Sequence, residues 1–213
     1  IRDHEGNLIK EIEEPKEYVN KNWFIGINLD LTDDFQDPRN GFRFNYEVAK
    51  RPRKSQSEPD FHVENMNLTA YLPMGNQSTW VFNYFVSDAI MKKEGETDKQ
   101  VIRNNENIDC QTANDTAECE SSLEALVESR YAHNKYGTAS SLGGFSRLRS
   151  YGQARFKGAH TRFYGTEFRY NITDENTAFD WLFVKDIRTV FQIAFFGELG
   201  SVADDRSTLM ENT

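Results

Sequence analysis

No stretch of this 213-residue chain approaches the roughly 20 consecutive apolar residues that a membrane-spanning helix requires, which excludes a helical membrane protein. Basic charge is short as well. The 25 Lys and Arg stand against 34 Asp and Glu, a net charge of −9, so the basic footprint of a nucleic-acid partner is missing. Apolar residues reach only 38% and the mean hydropathy is −0.73, an odd composition for a soluble core. Catalytic constellations are absent too: His4, His62, His133 and His160 are scattered, and no Ser/His/Asp set or nucleophile elbow occurs, so no enzyme is expected. Cysteine is limited to Cys110 and Cys119, with no His or third Cys at ligand spacing. A disulfide stapling a loop is therefore expected over a metal or redox pair, and it fits an oxidising compartment outside the cytoplasm. The acidic groups Glu11, Glu13, Glu14, Asp33, Asp34 and Asp37 lack calcium-loop spacing, so neither metal nor cofactor is expected. Sequons at Asn67, Asn76, Asn114 and Asn171 are taken as chance, since three lie on or beside expected strands. The chain begins at Ile1 with no charged-then-apolar leader, so a processed or partial chain is expected.

What the chain does have is aromatic residues, 16 Phe and 9 Tyr, placed at alternate positions in otherwise polar segments. Residues 1–21 are charged and without period, a loop or edge segment. From residue 22, Trp23, Ile25, Ile27, Leu29 and Leu31 alternate with Phe24, Gly26, Asn28 and Asp30, the period of a β-strand. Asp37-Pro38 and Asn40-Gly41 supply turn chemistry. Then Phe42, Phe44, Tyr46 and Val48 alternate with Arg43, Asn45 and Glu47. A third strand, less regular and with its apolar face switching near Asn65, is expected over 61–72, and a fourth around Trp80, Phe82, Tyr84 and Val86, so that 22–90 holds four strands. Regularity stops from 91 to 159, a long acidic loop of the kind that is functional or disordered. It returns with Tyr164, Thr166, Phe168, Tyr170 and Ile172 opposite Gly165, Glu167, Arg169 and Asn171. A connector over 173–186 leads to a last strand from Ile187, so that 160–202 holds two strands, followed by a loop over 203–213.

Strands that are aromatic on one face and charged on the other, joined by alternately short and long connections, follow the pattern of a membrane barrel. A soluble β-sandwich or lipocalin shows the same alternation, so patterning alone does not select the membrane. The charged quality of the polar faces, carrying Asp30, Arg43, Glu47, Glu167, Arg169, Arg188 and Glu198, tips the reading to the membrane.

The segment LGGFSRLRSYGQARFKG, Leu142 to Gly158, resembles the signature loop of the outer-membrane insertase superfamily, also called the bacterial surface antigen family. Gly143 and Gly144 match the paired glycines, and Arg149, Ser150, Tyr151 and Gly152 cover the arginine–aromatic motif, with serine where the family has glycine after the arginine. In order along the chain, DDFQDPRNGF, NLTAYLPMGNQSTWVF, Glu167-Phe168-Arg169 and Phe196-Gly197-Glu198-Leu199-Gly200 resemble further family features, so the likeness spans residues 22–202. The resemblance implies that Arg149 enters the barrel and pairs with carboxylates on two neighbouring strands. Alternation independently puts Glu167 and Glu198 on one face, and a buried arginine requires forked carboxylate partners. An Arg149–Glu167–Glu198 cluster locking the loop into the lumen is therefore expected, against the alternative of three lumen charges solvated by water.

The fold class expected is all-β, an antiparallel transmembrane β-barrel represented by about six strands. The resemblance implies about sixteen strands and preceding periplasmic polypeptide-transport-associated domains. Six strands cannot close, since about eight is the minimum and an open edge in lipid is not tolerated. The resemblance further implies an assembly factor that folds and inserts outer-membrane proteins, in the bacterial outer membrane rather than that of an organelle. Its partners would be the lipid bilayer, unfolded outer-membrane protein substrates and other assembly-machinery subunits. A two-partner-secretion-type translocation pore and a soluble β-barrel binding a small ligand are the alternatives.

Overall fold

The computed structural model describes residues 23–50, 53, 55–106, 108–112, 115–172, 179–187 and 191–211. Six strands form one antiparallel sheet: β1 (Trp23–Asp30), β2 (Gly41–Lys50), β3 (Asp60–Pro73), β4 (Ser78–Lys93), β5 (His160–Asn171) and β8 (Gln192–Ala203), in the order β1-β2-β3-β4-β5-β8. A small hairpin of β6 (Phe179–Trp181) and β7 (Val184–Ile187) stands apart from it. The large sheet is therefore all-antiparallel and open, with β1 and β8 as its edges among the described residues.

Register converts the alternation into two unlike faces. Phe82 lies opposite Ala70 and Thr166, Thr166 opposite Gly197, and Tyr84 opposite Leu68 and Tyr164, so one face is apolar across four strands. The same register leaves Asn65, Asn67, Thr69, Asn83, Ser87, Glu167 and Glu198 on the other. Among the described residues the apolar face is bare: Phe195 is 69% exposed, Leu199 73% and Ile27 66%. Buried side chains gather on the polar side instead, where Phe85, Leu142, Leu148 and Phe163 form one cluster and Phe61, Ala89, Ala139 and Ala159 another.

The β1–β2 turn is set by its acids and one glycine. The Asp33 carboxylate accepts the backbone N–H groups of Arg39 and Asn40 at 2.9 and 3.0 Å, and Asp34 accepts those of Gln36 and Asp37 at 2.6 and 2.9 Å. Gly41 closes it at φ +106°, where a Cβ would sit 2.1 Å from the Leu31 carbonyl oxygen.

Three expectations change here. The segment 91–159 is not irregular throughout: β4 runs on to Lys93, and α1 (Lys99–Asn105), a 3-10 turn (Cys110–Thr112) and α2 (Thr116–Tyr136) follow. The helices pack on each other through Ile102, Cys110, Leu123 and Val127. The last strand of the large sheet begins at Gln192 and not at Ile187, which belongs to the small hairpin inside the expected connector. Residues 206–211 form α3 where a loop was expected. The expected face switch near Asn65 is present: Phe61 and Val63 pack under the loop on the polar side, whereas Leu68 and Ala70 lie on the other face opposite Tyr84 and Phe82, with the register unbroken from Phe61 to Pro73. The segment 1–21 and Arg188 lie outside the described residues.

Candidate functional site

After α2 the chain turns back over the polar face of the sheet, and the two limbs of this loop pair with each other. Ala139 N–H donates to Gly158 O at 2.9 Å, and Leu142 and Phe156 exchange bonds at 2.9 and 3.0 Å. Beyond that neck the backbone folds tightly. Gly143 and Gly144 take φ values of +103° and +112°, and a Cβ on Gly143 would lie 2.3 Å from Gly152 O, so the paired glycines are conformational necessities. Leu148 adopts φ +53° without being glycine, while its side chain is buried against Leu142, Phe85 and Phe163. The burial holds a left-handed turn that aims the next residue, Arg149, at β8.

Arg149 meets its carboxylates through three bonds. Its backbone N–H and Nε both donate to Glu198, at 2.7 Å to Oε2 and 2.7 Å to Oε1, and Nη1 donates to Glu167 Oε2 at 2.8 Å. The structure thus brings together the three residues that alternation and the loop motif pointed to. Both glutamates are half-buried residues whose side chains are largely covered, 15% and 8% exposed, so a cation beside each offsets the cost of that cover. Burial works against the Arg149 charge, but the bonds to Glu167 and Glu198 outweigh it and raise its pKa above the ordinary arginine value.

The remaining motif residues play lesser parts. Tyr151 packs edge-on against Phe156 with centroids 5.0 Å apart, and Ser150 is exposed in the turn. Ser150 does not have a positive φ, so serine fits there without strain. A Cβ on Gly152 would meet nothing within 4 Å and its φ is not positive, so its lack of a side chain is not demanded locally. Cys110 and Cys119 form a disulfide between the 3-10 turn and α2, in a side-chain cluster separate from the one that holds Leu148.

Sequence reasoning missed two members of the site. Arg169 Nε donates to Glu167 Oε1 at 2.6 Å, so Glu167 bridges two arginines. The spacing of two residues along one strand was the available signal, since it places both side chains on one face. Phe196 lies beneath the Arg149 guanidinium, 3.8 Å from it to the ring centroid, and Arg147 stacks in the same way on Phe85 at 3.5 Å. Burial alone pushes the Arg147 guanidinium below its ordinary pKa.

Among the described residues no group of three or more His, Cys, Asp or Glu is placed to hold a metal ion. What the arrangement can do is mechanical: it fixes a loop to two adjacent strands by charge-assisted bonds that can be made or broken together. Comparison of the chain with family models, curated proteins and solved structures finds no match.

Proposed function

We propose that this chain is part of the transmembrane barrel of an outer-membrane protein assembly factor, and that its Arg149 loop lies inside the barrel lumen. The observation that carries the membrane reading is which face the chain covers. The long insert between β4 and β5 packs on the polar face of the sheet, and among the described residues the aromatic face is left bare across four strands. In water that arrangement is inverted, because a soluble sheet buries its apolar face first. In a bilayer it is the stable one: lipid takes the aromatic face, and the charged face lines an aqueous interior. The lengths of β3 and β4, 14 and 16 residues, exceed the 9 to 11 or so that a tilted strand needs to cross.

The assembly role is drawn from the resemblance of the Gly143–Gly152 loop and its two glutamates to the insertase signature. An open antiparallel sheet adds a mechanism, since an unpaired edge can template an incoming strand by backbone hydrogen bonds. Such an edge is not stable in lipid, so further strands must close the barrel. The test is reconstitution of the full-length protein in vesicles with an unfolded outer-membrane barrel as client. The wild type is expected to speed insertion of the client, and Arg149→Ala to slow it. A wild type that inserts nothing but conducts an unfolded polypeptide across the vesicle would favour the secretion pore instead.

A further inference from the structure

The Arg149 cluster fastens the tip of the loop, yet its root is held by a different set of groups. Asn65, Ser87 and Thr161 stand opposite one another in a single cross-strand row on β3, β4 and β5. Ser87 and Thr161 are completely buried, at 0% exposure, although a hydroxyl there is costly without partners. The partner is one loop residue, Ser140. Its N–H donates to Ser87 Oγ at 2.9 Å, its hydroxyl donates to Asn65 Oδ1 at 2.9 Å, and its carbonyl accepts from Thr161 Oγ1 at 2.9 Å. Ser87 Oγ in turn donates to Asn65 Oδ1 at 2.7 Å, so the row is tied to itself as well as to the loop. Every polar group of Ser140, two from the backbone and one from the side chain, is used by the sheet.

We infer that Asn65, Ser87 and Thr161 are positioning residues that clamp the loop at Ser140, independently of the Arg149 lock, and so set the register in which Arg149 reaches Glu167 and Glu198. The inference deepens the proposed reading and rests on it for its functional meaning. A loop fastened at two points can release its tip without leaving the sheet, because the neck bonds at Ala139, Ser140 and Leu142 do not involve Arg149. The tip is thus the moving part and the row beneath Ser140 is its pivot. Neutral hydroxyls suit that role, since buried neutral hydrogen bonds neither respond to salt nor titrate in the ordinary pH range.

Amide hydrogen exchange of the full chain in detergent separates the two fastenings. The neck is read at Ala139, Ser140 and Leu142, and the tip at Arg149 and Tyr151, whose N–H groups bond to Glu198 and Leu148. Thr161→Val keeps the shape and removes the hydroxyl, and it is expected to raise neck exchange about ten- to a hundredfold while tip exchange changes far less. Thr161→Ser restores the hydroxyl and is expected to restore protection. Arg149→Ala is expected to do the reverse, raising tip exchange and sparing the neck. Should Thr161→Val prevent folding, Ser140→Ala removes one bond from the loop side alone and carries the same expectation. Unchanged neck protection in these variants, or equal release of neck and tip by Arg149→Ala, would overturn the clamp. Because no client protein is present, failure to insert clients would count against the assembly reading and leave this result standing.

Discussion

Arg149 uses its backbone N–H and its guanidinium on Glu198 and a further guanidinium N–H on Glu167, so its loss leaves two largely covered carboxylates, of which Glu167 keeps an arginine partner, Arg169. Arg149→Ala is expected to cost the loop tip about 2 kcal/mol of local stability, seen as roughly thirtyfold faster exchange at Tyr151. Lysine in its place keeps the charge but cannot bridge two carboxylates with a planar fork, so Arg149→Lys is expected to recover only part of the loss. The glycines of the motif separate in the same assay. Gly143→Ala must drive a Cβ into the Gly152 carbonyl at a positive φ and is expected to disorder the tip, whereas Gly152→Ala meets open space and is expected to lie within about 0.5 kcal/mol of wild type. At this scale much was legible, because the period of two assigns every strand residue to a face without knowledge of the partner strand. Arg169 and Phe196 share that face with Glu167 and Glu198 and were readable by the same rule. Leu148 was not, because its left-handed turn is imposed by burial against β4 and β5, a tertiary effect that local propensity does not carry.

Among the elements, α2 was the least legible. Only Leu123 and Val127 are buried along its 21 residues, so there is too little apolar stripe to produce a period of 3.6. Its start was written in the chain nonetheless: Asp115 caps the helix by accepting the Glu118 N–H at 3.0 Å, in the spacing Asp-x-x-Glu. The disulfide compensates for that thin core by tying α2 to the preceding turn. Replacing Cys110 and Cys119 by serine is expected to open the α1–α2 unit to proteolysis, by about 2 to 3 kcal/mol, while Arg149 and Tyr151 keep their protection. The β1–β2 turn predicts a pH dependence of defined sign. Backbone N–H groups of Asn40 and Arg39 hold the Asp33 carboxyl below the ordinary value of 3.8, and those of Asp37 and Gln36 do so for Asp34. A depressed pKa in the folded state contributes order above the unfolded value and loses it as pH falls through the folded one. Turn amides are therefore expected to keep their shifts at and above pH 3.8 and to change only in more acid solution; a transition near pH 6 would contradict this.

For the molecule as a whole, the decisive property is the pairing of a bare aromatic face with a covered charged one. Composition alone could not show it, since the same alternation serves a soluble barrel; the side on which the insert packs is a long-range outcome of Phe61, Phe85 and Phe163 meeting the loop. The most direct measurement is a scan of spin labels along β4 at positions 82 to 85 in the full-length protein reconstituted in lipid. Phe82 and Tyr84 belong to the bare face, Asn83 and Phe85 to the covered one. The account predicts strong relaxation by dissolved oxygen and protection from a water-soluble nickel complex at 82 and 84, with oxygen access falling at 83 and 85. Equal access of the nickel complex at 82 and 84, in a protein that stays in solution without detergent, would contradict it.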